Sequence, residues 1–186
     1  GNTAQRGAGV ALVLATSATV TDCAFTHNVS GTGCGVGIDS GSSASFSLCN
    51  FAENKASYGG GVWVSASDAT LTACTFDSNS ASSCGGAINS TEDSSLSVSG
   101  SDFLKNEAWG NVSSGGAIAA MGHRTLTLQT STFRENYAVT GGAIIVEKSV
   151  VQAIIEDCII ENNGRRVVGG AVVAVTSQGG GVQFGG

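Results

Sequence analysis

The side chains best equipped for chemistry in this chain of 186 residues are six cysteines, two histidines and fourteen carboxylates. A zinc site needs Cys and His converging at short spacings, and the sequence has no such convergence. Glycosidic chemistry needs two carboxylates, or a carboxylate with Arg or Lys, gathered on one face. Asp22 and Asp157 occupy equivalent places far apart in the chain, and the other acids are scattered. His27 precedes Asn28, and His123 sits beside Arg124. Neither has an orienting partner in sequence, so both read as solvated side chains. Catalytic residues, metal ligands and cofactor ligands are therefore expected to be absent. Hydroxyls offer another chemistry, because Thr19 and Thr21, Ser45 and Ser47, Thr70 and Thr72, and Ser97 and Ser99 form regular pairs. Such an array could match an ordered surface such as ice or a crystalline glycan, although Gln129, Ile154 and Glu156 interrupt it.

Asn-x-Ser/Thr triplets stand at Asn28, Asn89 and Asn111. Asn28 is expected to be occluded in a turn, which leaves Asn89 and Asn111 as candidate glycan acceptors. Asn111 lies in the longest loop, Glu107 to Ser114, with Trp109, an aromatic able to anchor a partner.

These residues are positioned by a repeat. Gly, two small residues and then Val or Ile recur from Gly7, Gly35, Gly59, Gly85, Gly115, Gly141 and Gly169, at steps of 24 to 30 residues. Between these copies stands Phe-x-x-Asn: Phe25 with Asn28, Phe51 with Asn54, Phe76 with Asn79, Phe103 with Asn106, and Phe133 with Asn136. Ile160 with Asn163 is a sixth copy, aligned on the preceding Cys158. Cys23, Cys49, Cys74 and Cys158 share one place in the repeat with Ser101 and Ser131. They read as small inward thiols, with a disulfide between stacked neighbours as the alternative. Cys34 and Cys84 precede the Gly motif two coils apart, too far for a direct bridge.

Within each unit the period is two, that of strands. The residue five before each Phe or Ile160 is apolar (Val20, Phe46, Leu71, Val98, Leu128, Ile155), and Ala or Leu stands two earlier. The period slips by one before the Phe, which predicts a bend and a second strand. The Asn then sits at a turn, where amides stack from coil to coil. A variable loop of about four to eight residues follows by the repeat alignment, and a third strand starts at the Val or Ile of the Gly motif. The absence of Pro and the presence of 28 Gly among Thr, Val and Ile fit the same all-β class. The expected fold is a right-handed single-stranded parallel β-helix of about seven coils, pectin-lyase-like, forming one solenoid segment over residues 1–186 of a longer chain. Phe25, Phe51, Phe76, Phe103, Phe133 and Ile160 form its core ladder, and the six motif asparagines its turn ladder.

The pairing of Gly-Gly-Ala-Ile with Phe-x-x-Asn resembles the repeat of the chlamydial-type polymorphic outer membrane proteins. Complete pairs stand at Gly85–Ile88 with Phe76 and Asn79, at Gly115–Ile118 with Phe103 and Asn106, and at Gly141–Ile144 with Phe133 and Asn136. The resemblance implies a surface-exposed β-helical region implicated in adhesion.

A net charge of −6 with only eight Lys and Arg argues against nucleic acid. No apolar run approaches the roughly 20 residues that span a bilayer. The expectation is a non-catalytic structural or adhesive rod, extracellular or at a cell surface. Its partners would be other chains of a surface structure or filament, and glycans. A polysaccharide-active enzyme and an ice- or lattice-binding protein are the alternatives.

Overall fold

The computed structural model describes residues 1–122, 124–147, 152–164, 172–175 and 181–185. His123, Arg165, Arg166 and the Gly169–Ala171 stretch of the last Gly motif lie outside the described residues.

Every strand pairs in parallel with its own copy one coil further on, so the chain winds as a parallel β-helix. Two of its sheets have seven rungs. The Gly-motif sheet runs from Val10–Leu12 to Val172–Val175, and the hydroxyl sheet from Ser17–Thr21 to Gly181–Gly185. The Phe sheet has six rungs, from Ala24–Thr26 to Ile159–Glu161.

A fourth sheet replaces the expected loop. It comprises Thr3–Arg6, Val29–Thr32, Lys55–Tyr58, Ser80–Cys84 and Glu107–Ala108, and isolated bridges extend it through Tyr137 and Thr140. We call it the lateral sheet. Its inward positions are small, as at Ala81 and Ala108, and its register shifts between Ala81 and Cys84. These features weaken the apolar alternation that would mark a strand in sequence.

Register also corrects one Gly copy. Val10 pairs with Val36, and Val36 with Val62. The second copy is therefore Gly33-Cys34-Gly35-Val36 rather than Gly35 to Ile38. Gly33 has φ +55°, as the first Gly of the other described copies does within a range of 50° to 65°. A Cβ there would press within 2.4 Å of the Val36 carbonyl oxygen, so the corner requires glycine. The second Gly is constrained differently: a Cβ on Gly86 would lie 2.2 Å from the Gly116 oxygen of the next rung.

Inside, the expected columns face one another. Phe46, Leu71, Val98 and Leu128 are buried, as are Val36, Val62, Ile88, Ile118 and Ile144 from the opposite sheet. Phe25, Phe51, Phe76, Phe103 and Phe133 stack with ring centroids 4.9, 4.6, 4.7 and 4.6 Å apart and planes within 9° of parallel. Ile160 packs against the end of this stack, partly buried. Burying each Phe contributes about 1.5–3 kcal/mol, and the ring contacts add about 0.5–1.5 kcal/mol per pair.

The other three corners share one construction: a residue in the left-handed region followed by a residue that stacks on its copies. Asp22, Leu48, Ala73, Gly100, Thr130 and Asp157 precede the Cys/Ser column, with φ between 46° and 56°. His27, Glu53, Ser78, Lys105, Glu135 and Asn162 precede the Asn column, with φ of 54° to 56°. Ala15, Gly41, Ala66 and Asp93 precede Thr16, Ser42, Ser67 and Ser94. Non-glycine residues in this conformation cost about 1–2 kcal/mol each, which the stacked residue behind each of them offsets.

Candidate functional site

The Asn corner is built from amides that satisfy one another. Asn79 Oδ1 accepts from the backbone N–H of Asn54 at 3.2 Å and from Asn54 Nδ2 at 2.9 Å. Asn79 Nδ2 donates in turn to Asn106 Oδ1 at 3.0 Å and to the Phe51 carbonyl of the preceding rung at 2.8 Å. The same bonds recur at Asn54, Asn106 and Asn136, Asn28 repeats those between amides, and Asn163 repeats the bond to Phe133. Phe and Asn are thus coupled across coils as well as within one. Asn54, Asn79, Asn106 and Asn136 are fully buried, and Asn28 is 3% exposed, as its turn position implied. Asn2 adds a rung that sequence reasoning missed, because no Phe precedes it: its N–H and Nδ2 both donate to Asn28 Oδ1, at 2.9 and 3.2 Å.

The Cys/Ser column works the same way. Cys49, Cys74 and Cys158 donate to the carbonyl two residues earlier at 3.2–3.4 Å, and Ser101 and Ser131 do so at 3.0 and 2.8 Å. The two serines also accept an N–H from the preceding rung, at Cys74 and Ser101. Cys23, Cys34, Cys49, Cys74 and Cys158 are free thiols. Burial pushes the Cys34, Cys74 and Cys158 thiols up from their ordinary range, which favours the protonated thiol once the coil has folded. Cys34 and Cys84 do not share a place after all. Cys34 is the second residue of its Gly motif and its thiol meets the Lys55 carbonyl, whereas Cys84 closes a lateral strand opposite Tyr58. A third ladder, not visible in sequence, runs through Ser42, Ser67 and Ser94, whose hydroxyls accept the N–H of Thr16, Ser42 and Ser67.

The glycan-acceptor expectation divides. Asn89 is fully buried in the outer column of the Gly-motif sheet, beside Trp63 and Ala119, so the folded coil has no room for a glycan there. The Gly corner curls over this column: a Cβ on Gly33 would lie 2.9 Å from Trp63 Cβ, and one on Gly141 3.0 Å from Ile145 Cβ. Asn111 is exposed at the tip of a turn closed by Ser113 N–H to Gly110 O at 3.1 Å. In its sequon, the Ser113 hydroxyl is buried and donates to the Ala108 carbonyl at 2.6 Å. Trp109 is 60% exposed and Val112 88% on the same turn, and Tyr58 and Tyr137 are exposed elsewhere on the lateral side.

The acids are less scattered than the sequence suggests. At the corner between the Gly-motif and hydroxyl sheets, Arg124 Nη2 meets Asp68 Oδ1 at 2.5 Å, and its Nε lies 3.7 Å from Asp93 Oδ1. These three residues line an open groove of about 340 Å³. Register brings them together across 56 and 31 residues of chain. The groups are exposed, and each carboxylate is already paired with the guanidinium. His27 has a partner in Glu53 on the next rung, 3.2 Å away, likewise in solvent. The hydroxyl array keeps its register, Thr19, Ser45, Thr70, Ser97 and Thr127 forming one outward column. Among the described residues no three His, Cys, Asp or Glu converge on a metal position. No described helix is long and apolar enough to cross a membrane.

No curated protein and no solved structure matches the chain. The family model for the right-handed β-helix region matches residues 8–186, nearly the whole sequence. With in-register parallel rungs from Val10 to Val175, the chain belongs to the right-handed β-helix family.

Proposed function

We propose that this β-helix is a non-catalytic structural or adhesive segment of an extracellular or cell-surface protein. It acts as a rigid rod within a larger assembly or filament, in the manner of the polymorphic outer membrane proteins whose repeat it resembles. The observation that carries this reading is the fate of the polar side chains. At three corners the Asn, Cys/Ser and Ser ladders make hydrogen bonds to neighbouring rungs, which stiffens the coil. The lateral side instead exposes Trp109, Val112, Tyr58 and Tyr137, large apolar side chains suited to holding a partner. Immunogold labelling of the source cells with an antibody raised against the Glu107–Ser114 loop tests the reading. Label on the cell exterior or on extracellular fibres is expected, and label confined to the cell interior overturns it.

A second reading, a polysaccharide-active enzyme, draws on Arg124 with Asp68 and Asp93 in their groove. It requires release of reducing or unsaturated ends from a glycan substrate, and loss of that release in Asp68→Asn.

A further inference from the structure

Cys49 and Cys74 occupy the same place on adjacent rungs, since Asn50 pairs with Thr75 and Phe51 with Phe76. Parallel neighbours lie about 4.8 Å apart between Cα atoms, inside the roughly 4.4–6.8 Å that a disulfide spans. Separation alone does not make a bridge; the thiols must also point at one another. In this ladder Cys49 and Cys74 both lean toward the rung before their own, Cys49 Sγ lying 3.6 Å from the Val20 carbonyl oxygen on the rung of Cys23. Cys74 Sγ lies 3.6 Å from the Phe46 carbonyl oxygen, and Cys49 Sγ lies 3.3 Å from that of Ser47, the next residue along. The Cys74 thiol is therefore directed at the rung that carries Cys49.

We propose that Cys49 and Cys74 form a cross-rung disulfide when the chain folds in the presence of a disulfide oxidant, leaving Cys23 as a thiol. Cys23 competes for Cys49 from the rung before, and burial favours Cys74. Cys49 and Cys74 are 2% and 1% exposed, whereas Cys23 is exposed. A buried bridge is shielded from further exchange, and a bridge to Cys23 is open to it.

With glutathione disulfide as oxidant, the Cys49 thiolate attacks one sulfur of the reagent before the rung closes. The reagent's S–S bond breaks and one glutathione leaves. The Cys74 thiolate then attacks Cys49 Sγ in the mixed disulfide, forming the protein S–S bond and releasing the second glutathione. The protein loses two electrons and two protons, and the oxidant gains both. This chemistry does not rest on the proposed surface location, because it depends on the rungs alone.

The test is to refold the full chain in a buffer of reduced and oxidised glutathione, quench with acid, alkylate, and map the digest without reduction. Cleavage on the amino side of Asp39, Asp68 and Asp77 leaves Cys49 and Cys74 on separate peptides that hold no other cysteine, so they stay together only if they are bridged. The expected result is a cross-linked Cys49–Cys74 peptide pair, lighter by two hydrogens, with a thermal midpoint raised by several degrees over the reduced chain. Cys23→Ser should keep the bridge. Cys74→Ser should fold, because Ser101 and Ser131 already occupy this column, and should lose both the bridge and the rise. Full alkylation of Cys49 and Cys74 after oxidative refolding overturns the proposal, as does a bridge between Cys23 and Cys49.

Discussion

The Cys-to-Asn side of the coil and its lateral side obey different rules of length. From Cys23, Cys49, Cys74, Ser101, Ser131 or Cys158 to the Asn that follows is five residues in every coil. From the Asn to the first Gly of the next motif is five residues after Asn2, Asn28, Asn54 and Asn136, six after Asn79 and nine after Asn106. On the first side, adjacent corners each carry a buried ladder, so one added residue would throw a ladder side chain out of register. The lateral excursion has only small inward residues such as Ala81 and Ala108 to align, and its length is free to vary. Where the coil is fixed it supplies stability, and where it varies it carries the exposed aromatic groups.

Substitutions sharpen that contrast, and the largest effect is expected in the fixed side. Phe76→Ala removes a ring stacked between Phe51 and Phe103 and should cost about 3–5 kcal/mol in urea unfolding; a loss below 1 kcal/mol, on the order of a surface change, would break the contrast. Asn79→Ala leaves the Asn54 donors, the Phe51 carbonyl and Asn106 Oδ1 each short of a partner. At about 1–3 kcal/mol for each unsatisfied buried group it should cost roughly 3 kcal/mol, and Asn79→Asp should not rescue it, because a carboxylate cannot donate to Phe51.

Smaller effects test the corners and the lateral side. Leu48 is 62% exposed with φ 55°, so Leu48→Gly should raise stability by about 0.5–1 kcal/mol by relieving a left-handed side chain. A fall in the thermal midpoint would show that the Leu48 side chain is needed at that corner. Four Gly/Ser residues inserted after Gly110 should cost less than about 1 kcal/mol. The same insertion between Cys74 and Asn79 should abolish cooperative unfolding, and equal penalties at the two sites would erase the distinction between them.

Sequence made the inner columns legible because each recurs at the same offset from a Phe. Val20 and Phe46, or Asn54 and Asn79, announce themselves by repetition. Three features stayed hidden for physical reasons. The Gly33 corner was misplaced because Gly31, Gly33, Gly35 and Gly37 alternate, and only the pairing of Val36 with Val10 and Val62 decides among them. The lateral strands are short and Ser- and Ala-rich, so their alternation is faint. Arg124 meets Asp68 and Asp93 through stacking two and one coils away, a contact with no local signature. Asn89 has the right triplet for a modification, but the triplet says nothing of the Gly corner that folds over it.

The Asn ladder has one more consequence. Between amides, each donates toward the rung that follows it and accepts from the rung before, and no amide-to-amide bond in the series from Asn2 to Asn163 runs the other way, although Nδ2 of Asn54, Asn79, Asn106 and Asn136 also donates back to a Phe carbonyl. The side-chain dipoles therefore add along the axis, each polarising the next. They make the rod a vector with chemically unequal faces, amide oxygen toward one and amide hydrogen toward the other. Two such rods placed end to end keep the series going only in head-to-tail order, because head-to-head contact would set donor against donor.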